Sequence, residues 1–254
     1  MPGHREAAVS EAPVLLLTRA RPQAERFAAE ARARLGPLRC VIAPLIEIAI
    51  LPLTRDPAAH ATLIFTSENG VWAFCAQSDL RDRPAFCVGP RTAAAAREAG
   101  FDATSAEAEG GDAEGLLRQL RAVRPAQPLL HLRGEHAVTD LAGRLRREGL
   151  ACAEAVVYAQ RAMPLSPEGL AVLSGRAPVL LPLFSPRSAG LAAQAVAAAG
   201  NGGRAAVHVI AISAAAAERW IAVHPDRVAV RVARTPDGAG MLEALAEAVR
   251  ECPA

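Results

Sequence analysis

The sequence predicts an α/β protein of two similar parallel-sheet lobes joined by a two-stranded connector, with a cleft between them. Three observations carry that expectation. First, short continuous apolar runs, the pattern of strands buried on both faces, stop at a hydroxyl or a glycine and pass at once into a helix-like segment. Leu63-Ile64-Phe65 stops at Thr66-Ser67, and Phe86-Cys87-Val88 stops at Gly89-Pro90. Second, the pattern returns. Residues 179–184 run into Ser185-Pro186 and 207–212 into Ser213, with Ser67 and Ser185 lying 118 positions apart. Gly115-Leu116-Leu117 is echoed in the same order by Gly240-Met241-Leu242, so the chain reads as a duplicated unit. Third, extended segments at 39–52 and 151–163 read as connectors, so the chain crosses between lobes twice.

Taken in order, residues 1–12 lack the apolar core of a signal peptide and read as a flexible tail. Residues 14–17 read as a buried strand ending at Thr18-Arg19. A helix from Pro22 to Leu35 follows, with Phe27, Ala31 and Leu35 at four-residue spacing and Gly36-Pro37 as its stop. Pro44 and Pro52 bracket the next extended run, which suits an exposed connector better than a central ladder. The middle unit has strands near 63–66, 85–88 and 129–132 and helices near 68–78, 91–99, 112–121 and 137–148. The last helix turns Val138, Leu141 and Leu145 inward and Arg144, Arg146 and Arg147 outward. Residues 151–159 are strand-like and carry the only tyrosine, Tyr158. Ser166-Pro167-Glu168 then starts a helix with a hydroxyl cap and a proline at the first position. One lobe is therefore discontinuous, 13–38 with 164–254, and the other, 53–150, continuous; each is flavodoxin-like in outline.

The 254 residues are 52% hydrophobic with a formal net charge of +2, which leaves no basic stripe of the kind a general nucleic-acid binder shows. Every strong positive charge is arginine, since the chain has no lysine. Any anion site must then use guanidinium groups, backbone N–H and hydroxyls. The five cysteines are scattered without a CxxC pair and read as buried free thiols in a reducing compartment. The histidines complete no metal pattern, His131 and His136 included. No run approaches the roughly 20 apolar residues of a membrane span, and no oligomerising segment stands out. A cytoplasmic monomer without metal is expected.

Several chemistries are excluded. No Gly-x-Gly-x-x-Gly follows a strand, and a P-loop is impossible without lysine. No Gly-x-Ser-x-Gly elbow surrounds Ser67 or Ser185, and no histidine is evidently placed beside them. What remains is Thr18, Arg19, Ser67, Thr92, Arg133, Ser185 and Ser213, most of them at strand-to-helix turns. Helix N-termini there offer unpaired N–H donors and partial positive charge, and open α/β sheets bind ligands at these carboxyl ends. That inventory recognises carboxylates or phosphates. Ser67 and Ser185 read equally as helix caps, Thr92 as a cap or packing residue, Asn69 as a first-turn cap, and Arg19 and Arg133 as solvated charges.

The ordered set resembles the uroporphyrinogen-III synthase family. It comprises Thr18-Arg19, Pro44-Leu45-Ile46, Phe65-Thr66-Ser67-x-Asn69, Val88-Gly89-x-x-Thr92-Ala93, Gly115-Leu116-Leu117 and Arg133. Val157-Tyr158, Phe184-Ser185-Pro186-x-Ser188-Ala189 and Ala211-Ile212-Ser213 complete it, over residues 13–250. The resemblance implies cyclisation of linear hydroxymethylbilane with loss of water and inversion of ring D, without cofactor or metal. It implies a small-molecule anionic tetrapyrrole substrate, handed over transiently from hydroxymethylbilane synthase. Tyr158 matches the family tyrosine proposed to assist the leaving hydroxyl, and Asn69, Gly89 and the other hydroxyl and arginine residues fall at positions expected to face substrate. Two departures stand out. Ser213 replaces a frequent glycine, and Ala214 to Ala217, Ala216 included, supply no threonine. The rival expectation is a non-catalytic two-lobed protein that binds a tetrapyrrole or other polycarboxylate.

Overall fold

Apolar runs without polar alternation become interior strands because both faces of a parallel sheet are covered by helices. The computed structural model describes residues 12–136, 139–199, 205–225 and 230–252. The tail expected at 1–12 and the inward Val138 fall wholly or almost wholly outside them. The chain divides into two compact units, Met1–Glu47 with Ala162–Ala254, and Ile48–Arg161.

The first unit contains β1 (Val14–Leu17), α1 (Arg21–Leu35) and β2 (Arg39–Ile42). After the middle unit come α6 (Pro167–Ser174), β9 (Val179–Leu183), α7 (Pro186–Ala198), β10 (Val207–Ala211), α8 (Ala214–Ile221), β11 (Val230–Val232) and α9 (Gly238–Glu251). Its five strands pair in parallel in the order β11-β10-β9-β1-β2. Successive residues of each strand serve opposite faces. Leu16, Val179, Leu181 and Val209 pack with Trp220 on one side. Leu15, Leu17, Leu180 and Ile210 pack with Phe27, Met241 and Leu245 on the other.

The chain enters the second unit along β3 (Ile46–Ile50) and leaves it along β8 (Cys152–Ala162). Between them lie β4 (Thr62–Phe65), α2 (Glu68–Cys75), β5 (Ala85–Cys87), α3 (Pro90–Glu98), β6 (Ala103–Ser105), α4 (Ala113–Val123), β7 (Leu129–Gly134) and α5 (Leu141–Arg147). The sheet order is β3-β8-β7-β4-β5-β6, with parallel pairing from β8 to β6. Leu63, Phe65, Leu130 and Leu132 meet Phe74 and Phe101 on one face. Ile64, Phe86 and Leu129 meet Leu116, Leu117 and Leu145 on the other.

The two sheets have one spatial order if β9, β10 and β11 are matched to β4, β5 and β6, and β1 and β2 to β7 and β8. The repeat is thus present but permuted in chain order. Its small details recur as well. Asp112 caps α4 by accepting from Gly115 N at 2.7 Å, and Asp237 caps α9 by accepting from Gly240 N at 2.8 Å. At both glycines a Cβ would overlap the carbonyl oxygen of the preceding turn, Glu109 in one case and Thr235 in the other. Glycine is required there by close approach, not by a positive φ.

Some elements differ from expectation. Within the expected connector 39–52, Arg39–Ile42 is a strand of the first sheet, paired along its length with β1. Pro44 falls beyond that ladder, so it costs no sheet hydrogen bond. The strands β6 and β11 are short edge strands with polar residues, Thr104, Ser105 and Arg231, and lack the apolar run that marks the others. The helix expected over 137–148 is described only from Leu141.

Replacement of either repeat glycine, Gly115→Ala or Gly240→Ala, should lower stability by about 1–3 kcal/mol through backbone displacement. Asp112→Ala should cost about 1 kcal/mol through loss of the cap. Urea unfolding of each variant checks both magnitudes.

Candidate functional site

In the second sheet the chain order reverses between β4 and β7: β5 and β6 extend to one side, β7 and β8 to the other. Such a switch leaves a crevice at the carboxyl ends of the two central strands. A cavity of about 230 Å³ lies there, with Thr66, Val88, His131, Arg133, Gly134 and Tyr158 in its wall. That is below the roughly 300–1,000 Å³ of pockets enclosing a drug-sized ligand, so it is too small to enclose one whole.

Tyr158 reaches this cavity because of an irregularity in β8. Arg133 pairs with Val156, but Gly134 pairs with Tyr158, so β8 carries one extra residue at this step. A bulge of this kind re-aims the side chain that follows it. Gly134 leaves room for the phenol, since a Cβ there would lie 2.7 Å from Tyr158 Cζ and 2.9 Å from its hydroxyl. Glu135 N donates to Tyr158 O at 2.9 Å and holds the turned strand. Tyr158 is 8% exposed, a ring packed on the core with its edge toward the cavity.

Beside it a polar row crosses three strands. His131 lies opposite Ile64 on β4 and opposite Glu154 on β8 in the sheet register. Its ring is 1% exposed. Nε2 is 3.1 Å from Thr66 Oγ1, just past the end of β4. Nδ1 faces Glu154 Oε1 at 3.6 Å, longer than a hydrogen bond, and is buried without a hydrogen-bond partner among the described residues. Burial pushes the imidazole pKa down, against the opposing pull of Glu154. A carboxylate only accepts, so the neutral ring places its proton on Nδ1, and Thr66 O–H donates to Nε2. Glu154 is held down to about 2 by the His131 imidazole and the Arg133 guanidinium. Arg133 Nε is 3.2 Å from Glu154 Oε1, and its Nη1 donates to Gly134 O at 2.9 Å. A wider recess of about 560 Å³ adjoins this pair and is lined by Arg55, Arg133 and Arg146.

The other sequence-predicted residues take these places. Ser67 caps α2, accepting from Asn69 N at 3.2 Å, and Asn69 is buried in the first turn. Gly89 is the extended N-cap of α3 and makes no side-chain cap, while Thr92 is buried in that helix's first turn. In the first unit Thr18 is buried and does not cap α1, whose N-cap is Ala20. The expected hydroxyl turn is instead a backbone contact, with Leu45 N donating to Thr18 O at 2.9 Å. Arg19 lies over the Phe184 ring, 4.0 Å from its centroid. Ser185 and Ser188 form a capping box at α7, and Ser213 caps α8 through Ala216 N at 3.4 Å. Thr18, Arg19 and Ser185 follow β1 and β9, the pair at which the first sheet's chain order reverses.

No histidine was expected beside Ser67 or Ser185, and His131 meets neither serine but Thr66, the residue before Ser67. Only the parallel register brings them together, and no local motif announces it. No cluster of three metal-ligating side chains occurs among the described residues. Nor does any helix among them have the length and apolarity to cross a membrane.

The depressed Glu154 pKa has a stability consequence. Its contribution is full above the ordinary carboxylate value of 4.5 and is lost as pH falls through about 2. Acid unfolding followed between those values should therefore be shallower in Glu154→Gln than in the parent.

Comparison with known proteins bears on what this site serves. The family model of uroporphyrinogen-III synthase HemD matches residues 26–243. The uroporphyrinogen-III synthetase of Helicobacter pylori has a similar fold, with TM-score 0.60 and 19% identity over 94% of this chain and 100% of its own. A triple-substituted uroporphyrinogen III synthase of Thermus thermophilus aligns over 95% of this chain and 100% of its own at 16% identity, with TM-score 0.49, too low to argue from. No curated protein matches the chain in sequence. Because the family model spans most of the chain, this protein belongs to the uroporphyrinogen-III synthase family.

Proposed function

We propose that this protein binds linear hydroxymethylbilane and directs its closure to uroporphyrinogen III, with the carboxyl ends of the second unit's central strands as the reacting site. The family's reaction, cyclisation with loss of water and inversion of ring D, is the reaction of this chain, and it makes the protein a lyase of tetrapyrrole biosynthesis. The observation that carries the residue-level reading is the cavity that gathers Tyr158, Thr66, His131 and Arg133 at a sheet switch point.

The substrate is a polycarboxylate. Within the second unit Ser67, Asn69, Gly89 and Thr92 are suited to bind carboxylates, and within the first unit Thr18, Arg19, Ser185 and Ser213 are. The groups they offer are first-turn N–H donors, hydroxyls and guanidinium. A capping serine remains able to donate its own O–H, so capping and binding are compatible. Ser213 in place of glycine leaves that turn leaning on backbone N–H. Arg133 is already paired with Glu154, so it contributes a partly neutralised charge.

Chemistry at the site is mostly orientation. Expulsion of the terminal hydroxyl is driven by the pyrrole's own electrons and leaves an azafulvene cation. Tyr158 donates a hydrogen bond from its phenol O–H to the departing oxygen. The protein then holds the chain so that the substituted carbon of ring D is attacked, and a spiro intermediate fragments and recloses with that ring turned over. Holding reacting atoms together replaces a large entropic cost. Five scattered cysteines without a CxxC pair fit a reducing, cytoplasmic setting. A monomer that receives hydroxymethylbilane directly from the synthase that makes it completes the reading.

Coupled to porphobilinogen deaminase and porphobilinogen, with products oxidised and isomers resolved, the protein should give the type III isomer. Type I alone from well-folded protein would leave a binding role only. Tyr158→Phe should reduce type III formation by about 10²-fold, within the range of general-acid assistance, and leave measurable turnover.

A further inference from the structure

His131 is the most deeply buried titratable side chain among those lining the cavity, and the orientation mechanism gives it no task. Three observations surround it. Its Nε2 touches a hydroxyl, Thr66 Oγ1, that is half-buried and lines the cavity. Its Nδ1 is buried with no hydrogen-bond partner among the described residues and points at Glu154 3.6 Å away. Glu154 is in turn fixed by Arg133. An unbonded buried nitrogen is costly to keep unless something recovers it. A carboxylate within a short shift of it does so when the ring becomes an imidazolium.

We propose that Thr66, His131 and Glu154 form a relay that takes up the proton released when the macrocycle closes, with Thr66 touching substrate and His131 and Glu154 acting through it. The proposal rests on the cyclisation reading above. Ring closure forms a carbon–carbon bond at the unsubstituted carbon of ring D. That carbon then loses its hydrogen as a proton, and the C–H electron pair restores the pyrrole's aromaticity. Thr66 Oγ1 accepts this proton as its own passes to His131 Nε2. The imidazolium is balanced by the Glu154 carboxylate across the shortened Nδ1 contact. The proton afterwards returns to solvent and offsets the one consumed when the hydroxyl left as water. Atoms and charge balance without any further reactant.

The groups facing His131 are few. Glu154 and Cys152 come from β8, Arg133 from its own strand, Thr66 from the end of β4, and His136 and Tyr158 from the cavity wall. Glu154 favours the imidazolium, while Arg133 and burial oppose it, with burial the larger effect. The imidazole therefore loses its proton more readily than an ordinary histidine, and activity should fall where it becomes protonated before turnover.

The test is the pH dependence of kcat for type III formation, measured with isomer resolution. Wild type should show an acid limb below the usual histidine range. His131→Gln should lower kcat by about 10–100-fold, leave KM within about twofold, and lose that limb. Glu154→Gln should lower kcat and move the limb to lower pH. Thr66→Val should behave as His131→Gln, and Thr66→Ser, which keeps the hydroxyl, should restore most of the rate. The valine and serine pair decides the matter if His131→Gln does not fold. An unchanged limb with kcat within about twofold in folded His131→Gln, or equal loss in Thr66→Val and Thr66→Ser, overturns the relay. A wild type that forms no type III product fails the cyclisation reading itself, which is a separate outcome.

Discussion

Parallel pairing of β7 with β4 on one side and β8 on the other is the constraint on which the second unit's site depends. The pairing sets His131 level with Ile64 on one side and Glu154 on the other, so a polar pair lies on an otherwise apolar face. It also brings the end of β4 beside the middle of β7, where Thr66 meets the imidazole. A one-residue slip of either pairing would send His131 to the face occupied by Phe65 and Leu132. Such a slip would also exchange two differently shaped core faces, Phe65 with Phe74 and Phe101 on one and Ile64 with Leu116 and Leu145 on the other. The core and the site are therefore specified by the same register.

The bulge in β8 adds the second requirement. Without its extra residue, Val157 would stand opposite Gly134 and Tyr158 would leave the cavity wall. Gly134 completes the arrangement by leaving the space that the phenol fills. Irregularities of this kind lose a ladder bond and gain a re-aimed side chain. Here the side chain gained is the one to which the leaving-group chemistry is assigned.

Much of the fold was legible in the chain. Buried strands announced themselves as apolar runs, as in Leu63-Ile64-Phe65, and hydroxyls before helices announced the caps at Ser67, Ser166 and Ser185. The repeat was visible in Gly115 and Gly240, whose missing Cβ atoms answer to the same carbonyl contact. What was not legible depended on long-range pairing. β2 looked like part of a connector because Pro44 and Pro52 could be counted, but the place of Pro44 beyond the β1–β2 ladder could not. β6 and β11 were too short and polar to stand out. Thr18 has the look of a cap, yet the N-cap of α1 is Ala20, two residues later. His131 showed in the sequence only as one of six histidines that complete no metal pattern; its partners lie 65 and 23 residues away and meet it only through register.

Both units present their hydroxyls, arginines and first-turn N–H groups at the strands' carboxyl ends, and the account stands on ligand binding there. Amide chemical-shift mapping of the isotopically labelled protein, titrated with the reduced tetrapyrrole product, tests this most directly. Perturbations should concentrate at Thr66 to Asn69, Gly89 to Thr92, Arg133 to Glu135 and Tyr158 in one unit, and at Thr18, Arg19, Ser185 and Ser213 in the other. Saturable shifts confined to the amino ends of the strands, around Val14, Thr62, Ala85 and Val179, would contradict it.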